Sequence, residues 1–97
     1  MIVGNGYANT ALEDESAILA RTKPGGRNYR LNLSAFNLGQ LVGAGMLDQR
    51  EVEDALIQAC KINRHYQDDG ESMVLGSIKS GLEAGKAKPR TIKRRLK

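Results

Sequence analysis

With no tryptophan, one phenylalanine and three tyrosines in 97 residues, the chain must build its core from Leu, Ile, Val, Ala and Met. Its one cysteine, Cys60, excludes an internal disulfide, and with a single histidine, His65, it falls short of the donor set of a conventional zinc site. Cys60 follows Val52, Leu56 and Ala59 in an apolar pattern, so a buried thiol is expected. No apolar run approaches the length of a bilayer span, and no basic stretch leads into an apolar one at the start. The expectations are no membrane partner and a cytoplasmic location. Alternating apolar and polar runs rich in β-branched residues are also missing, which argues against a sheet.

Acid is absent from the last twelve residues. Lys86, Lys88, Arg90, Lys93, Arg94, Arg95 and Lys97 give that stretch +7, whereas residues 1–85, with eight Lys/Arg and eleven Asp/Glu, sum to −3. A second acid-free window, from Ser16 to Leu47, holds Arg21, Lys23, Arg27 and Arg30. Such segregation suits contact with phosphates, against the plainer reading of a solubilising appendage.

Four helical segments are legible. The third, Asp48 to Asn63, has Val52, Ala55, Leu56, Ala59 and Cys60 at helical spacing, opened by Asp48 and Glu51 in the pattern of a capping box. The fourth opens at Asp68 and Glu71, carries Val74, Leu75, Ile78 and Leu82, and ends at Gly85, read as the glycine just past a helix. The second, from about Asn28 to Val42, carries Leu31, Ala35, Leu38 and Val42 and stops at Gly43-Ala44-Gly45. The first, about Tyr7 to Thr22, is more weakly patterned, with Glu13-Asp14-Glu15 read as a solvated acidic face. The expected architecture is all-α: a compact bundle of about four helices over residues 1–85, then a flexible, disordered basic tail over 86–97.

Groups suited to catalysis do not converge. Gly81-Leu-Glu-Ala-Gly85-Lys86 has too few residues between its glycines for a phosphate loop, lacks the following Ser/Thr, and follows no strand. Asp68-Asp69 reads as helix capping, not as a metal pair. No catalytic residue, metal or cofactor is assigned. The start of the second helix is more suggestive: Pro24-Gly25-Gly26-Arg27-Asn28-Tyr29-Arg30-Leu31-Asn32 brings glycines, arginines and asparagines to a helix N-terminus, whose free N–H groups favour anions. Ordinary turn chemistry, with Asn28 as N-cap, is the alternative. Lys23, Arg27 and Arg30 are candidates for phosphate, Asn28 and Asn32 for phosphate, sugar or base, and Tyr7 or Tyr29 for stacking. Lys86, Lys88, Arg90, Lys93, Arg94 and Arg95 supply a second, sequence-neutral grip.

Arg27-Asn28-x-x-Leu31-Asn32, Ala35-Phe36-x-Leu38-Gly39-Gln40-Leu41-Val42, Gly45-x-Leu47 and Ile78-x-Ser80-Gly81-Leu82-x-x-Gly85 together cover roughly Tyr7 to Arg90. This set resembles the helical domain that follows the catalytic domain in bifunctional primase-polymerase replication proteins of actinobacteria, their phages and plasmids. The resemblance implies a non-catalytic accessory module that helps bind template DNA and the initiating nucleotide beside polymerising and helicase parts, with single-stranded template and ATP as the expected partners. Two other readings compete: a protein-interaction module of a phage or plasmid replication complex, and a small helix-turn-helix regulator. The second suffers from Glu51, Glu53 and Asp54, which would face DNA phosphates.

Overall fold

The computed structural model describes residues 4–91. They form five helices: α1 (Gly4–Ala20), α2 (Arg27–Gly43), α3 (Gln49–Ile62), α4 (His65–Asp69) and α5 (Glu71–Lys86), with no strand among the described residues. The all-α expectation is correct. The fourth expected helix is divided, because Gly70 adopts φ +95° and ψ 154° and breaks the backbone between α4 and α5. Asp68 and Asp69 therefore lie at the end of a short helix, and neither side chain caps α5, whose N-cap is Gly70.

Helices α2, α3 and α5 bury most of the stripe their spacing foretells, but Leu75 is exposed and Val42 and Ala55 are only partly buried, and of the residues patterned in α1 Leu19 alone is buried. Leu31, Ala35, Leu38 and Leu41 from α2, Val52, Leu56 and Cys60 from α3, and Val74, Ile78 and Leu82 from α5 join Ala8 and Leu19 of α1 in one core. Asp48 caps α3, its Oδ2 accepting from the Glu51 N–H at 3.2 Å. Helix α2 begins at Gly26 without a side-chain cap, so Asn28 is its second residue and not its cap. Its far end closes through a left-handed residue, Gly45 at φ +78°. The Met46 N–H bonds Leu41 O at 2.9 Å and the Gly45 N–H bonds Val42 O at 3.0 Å, which satisfies two terminal carbonyls.

Helices α2 and α5 lie side by side and parallel. Asn28 meets Ser77, Ala35 meets Gly81, and Gly43 meets Lys86, in ascending order on both. Glycines four apart on each helix bring the two backbones together: Gly39 and Gly43 of α2 lie against Leu82, Gly85 and Lys86, and Gly81 and Gly85 of α5 against Ala35, Phe36, Gly39 and Gln40. A Cβ on Gly39 would stand 2.7 Å from Leu82 O, one on Gly43 2.8 Å from Lys86 O, and one on Gly81 2.5 Å from the Ala35 Cβ. Gly85 is thus a buried helical residue inside this seam, in place of the terminator expected from sequence.

Cys60 is fully buried. Burial pushes its thiol from the usual 9.0 up to about 11, with the charge of Arg27 pulling weakly the other way. Because the folded pKa is the higher one, the stabilisation from the neutral thiol is complete below about pH 9 and is lost as pH rises through about 11. Urea unfolding should therefore show stability declining over that window, and the decline should shrink in Cys60→Ala. An identical pH profile in the variant would contradict this assignment.

Candidate nucleic-acid interface

The α2 start brings its expected residues together, but it spends its arginines internally. Arg27 is buried, and its Nη1 donates to Asn63 O at 2.8 Å and to Asp68 Oδ2 at 3.0 Å, while Nη2 lies 4.0 Å from Asp69 Oδ2. Asn63 extends this clamp, its Nδ2 donating to Leu19 O and its Oδ1 accepting from the His65 N–H, both at 2.8 Å. His65 Nδ1 stands 2.7 Å from Asp69 Oδ2, but out of line for a well-formed hydrogen bond. One guanidinium thus ties α2 to the α3–α4 junction, where α1 also ends. The reading of Arg27 as a phosphate ligand gives way to a structural one, because its donors already face carboxylate and carbonyl oxygens.

Arg30 is engaged in a similar way. Its Nη2 donates to Glu15 Oε1 and its Nε to Ser34 Oγ at 3.2 Å. Glu15 also accepts from Ser34 Oγ at 2.8 Å and from Asn37 Nδ2 at 3.1 Å, so this carboxylate is drawn out of the acidic face and into the α1–α2 contact. Glu13 and Asp14 alone remain exposed there, as expected of that run. Asn32 donates from Nδ2 to Asn28 O at 3.0 Å, a bond within its own helix. Asn28 Oδ1 accepts from Ser77 Oγ at 3.0 Å, joining the starts of α2 and α5.

What stays open at this end is Lys23, with Tyr29 three-quarters exposed (74%) and the Asn28 side chain at the surface. The ring and the ammonium suit stacking and phosphate contact respectively. Tyr7, the other ring considered, is half exposed and accepts a hydrogen bond at its Oη from Arg90 Nη1 at 2.8 Å.

The basic segment is held at its root. Lys86 closes α5 and donates from Nζ to Gln49 Oε1 at 2.7 Å. The Arg90 N–H bonds Gln40 O at 3.1 Å, Arg90 Nη2 bonds Gln40 Oε1 at 3.1 Å, and Gln40 Nε2 donates to Lys88 O at 3.0 Å. The Gln40 side chain and backbone therefore clasp residues 88–90 onto α2, where the sequence suggested a free departure after Gly85. Pairwise logic between residues fifty positions apart is invisible in local pattern. Lys88 is exposed and takes part in no ion pair among the described residues. Lys93, Arg94 and Arg95 lie outside the described residues.

Among the described residues no group of three His, Cys, Asp or Glu side chains is placed to hold a metal, and no helix is long and apolar enough to cross a membrane. No family model matches the chain, and neither a curated protein nor a solved structure matches it.

Proposed function

We propose that this chain is a non-catalytic nucleic-acid-binding module of a replication primase-polymerase, gripping single-stranded template mainly through its basic C-terminal segment. The observation that carries this reading is the segregation of charge combined with the clasp at Gln40: the last twelve residues hold seven cations without one acid, and Lys88 to Arg90 are fixed on α2. Lys23, Asn28 and Tyr29 form a second contact at the other end of that helix, where an unpaired base can stack. Arg27 and Arg30 support the scaffold and do not touch the ligand.

Lys86 and Arg90 are occupied internally, so the C-terminal segment offers five cations to phosphate, Lys88, Lys93, Arg94, Arg95 and Lys97, besides Lys23 at the other end of α2. Each neutralised single-strand phosphate contributes about −0.7 to the slope of log K against log salt, which gives about −3.5 for five. Ending the chain after Thr91 removes four of them, and the slope should fall by about 2.8 with stability unchanged. Amide shifts in NMR titrations with single-stranded DNA, duplex and ATP identify the ligand. Shifts at residues 86–91 and at Lys23–Tyr29 with single strands are expected. An affinity insensitive to salt and to that truncation would overturn the reading.

A further inference from the structure

The α1–α3 face has no part in the interface above, yet it presents an open groove. Ser16, Ala17 and Ala20 of α1 and Ala55, Gln58, Ala59 and Ile62 of α3 line a depression of about 320 Å³. Its lining carries no charge. Ile62 stands 67% exposed at one end of this uncharged lining. The helices flanking the groove run parallel, since their C-terminal ends meet where Asn63 Nδ2 bonds Leu19 O.

Charge along this groove is polar in an ordered way. Glu13, Asp14, Glu51 and Asp54 outnumber one base, Arg50, among the exposed charges at the end nearer the helix starts, and Arg21, Lys61 and Arg64 are exposed at the other, with the Lys61 ammonium over the Tyr66 ring. Glu13 and Arg21 stand four residues to either side of Ala17, and Asp54 and Lys61 stand four before and three after Gln58. Residues four apart on a helix share a face, so acid and base occupy mirrored positions about the middle of the groove. The helix dipole accounts for an acid in the first turn of α3, such as Glu51, but not for Glu13, which lies mid-helix. None of Glu13, Glu51 and Asp54 enters an ion pair among the described residues, and Arg21 folds back along α1, its Nη1 donating to Ala17 O at 3.3 Å.

We propose that a second copy of this chain docks on this face, with its α1–α3 pair antiparallel to the first across a two-fold axis near Ala17 and Gln58. A two-fold contact requires a self-complementary surface. An apolar centre with acid at one end and base at the other meets that requirement, because rotation by half a turn lays each acidic end on a basic one. With the axis at Gln58, Ile62 of each copy lies at the Asp54–Ala55 edge of the other's groove, and the four helices make a small bundle at the interface. The basic C-terminal segments leave from Gln40 on α2, outside the contact, so two of them are available to one nucleic-acid strand.

Sedimentation equilibrium on the full chain, from about 10 μM to about 1 mM, covers the range in which small interfaces associate. A monomer–dimer equilibrium is expected. Ala17→Glu and Ile62→Glu, both at exposed positions, should weaken it by about tenfold or more while leaving the circular dichroism unchanged. Glu13→Arg places like charges opposite Arg21 on both sides of the axis and should weaken it similarly, and the double variant Glu13→Arg/Arg21→Glu should restore it. A chain that stays monomeric throughout overturns the proposal. So does a dimer indifferent to Ala17→Glu and Ile62→Glu, or a double variant no better than Glu13→Arg, since each places the contact on another face.

Discussion

Gly85→Ala is expected to cost about 3 kcal/mol of folding stability, a large share of what a domain of this size holds. The added methyl would stand 2.9 Å from Gln40 N and closer still to Phe36 O, and both are backbone atoms of α2 that cannot turn aside as a side chain can. Helices α2 and α5 must separate to admit it, which loosens the packing of Ala35, Leu38, Ile78 and Leu82 together. The better helix propensity of alanine returns only about 1 kcal/mol. Gly39→Ala, 2.7 Å from Leu82 O, should behave similarly. Gly76→Ala is the control, for it is exposed on the same helix with nothing within 4 Å of its Cβ position, and it should gain about 0.5–1 kcal/mol. Urea unfolding of the three variants measures all of this, and equal stability for Gly85→Ala and Gly76→Ala would show that these glycines do not set the helix spacing.

Arg27→Ala should destabilise the fold by about 2–3 kcal/mol without acting directly on nucleic acid. The change leaves Asn63 O without its side-chain donor and frees Asp68 and Asp69, whose carboxylates are about half exposed and therefore recover part of their hydration. That exposure holds the expected loss below what a fully buried pair would show. Arg27→Lys should recover little, because one ammonium cannot reach both the carbonyl and the carboxylates as the planar fork does. Thermal unfolding and single-strand affinity measured on the folded protein separate the two roles. Parent-like stability with lost binding would return Arg27 to the ligand site.

The apolar stripes of α2, α3 and α5 and the Asp48 cap were legible because they depend on residues within a few positions of one another. The division at Gly70 was not: Asp68 and Glu71 have the spacing of a helix start, and the apolar period runs on beyond them. The glycine seam could have been found, since Gly39 with Gly43 and Gly81 with Gly85 are each four apart and so share a face. Gly81 inside a helix points to close packing, but Gly85 has the position of a helix stop, which conceals its part in the seam. For the site the limit is more basic. Arg27 meets partners 36 and 41 residues away, and Glu15 meets Arg30, Ser34 and Asn37 across 15 to 22 positions. Local pattern identifies a charge but not the opposite charge that the fold brings to it.

The parallel course of α2 and α5 also constrains how the chain can fold. A short turn joins only antiparallel helices, so α3 and α4 serve as the return path that brings α5 back to the start of α2. Ala35 and Gly81 are 46 residues apart, and closing a loop of that length costs about 3 kcal/mol of chain entropy before any seam contact forms. The close backbone packing of the glycine seam is thus also far from local, and it forms only after the chain between has been ordered. Synthesis from the N-terminus leaves α2 without its partner until Lys86 has been made. Through that interval the glycine face of α2 is an open, narrow strip of backbone, and folding of the bundle waits on the last helix.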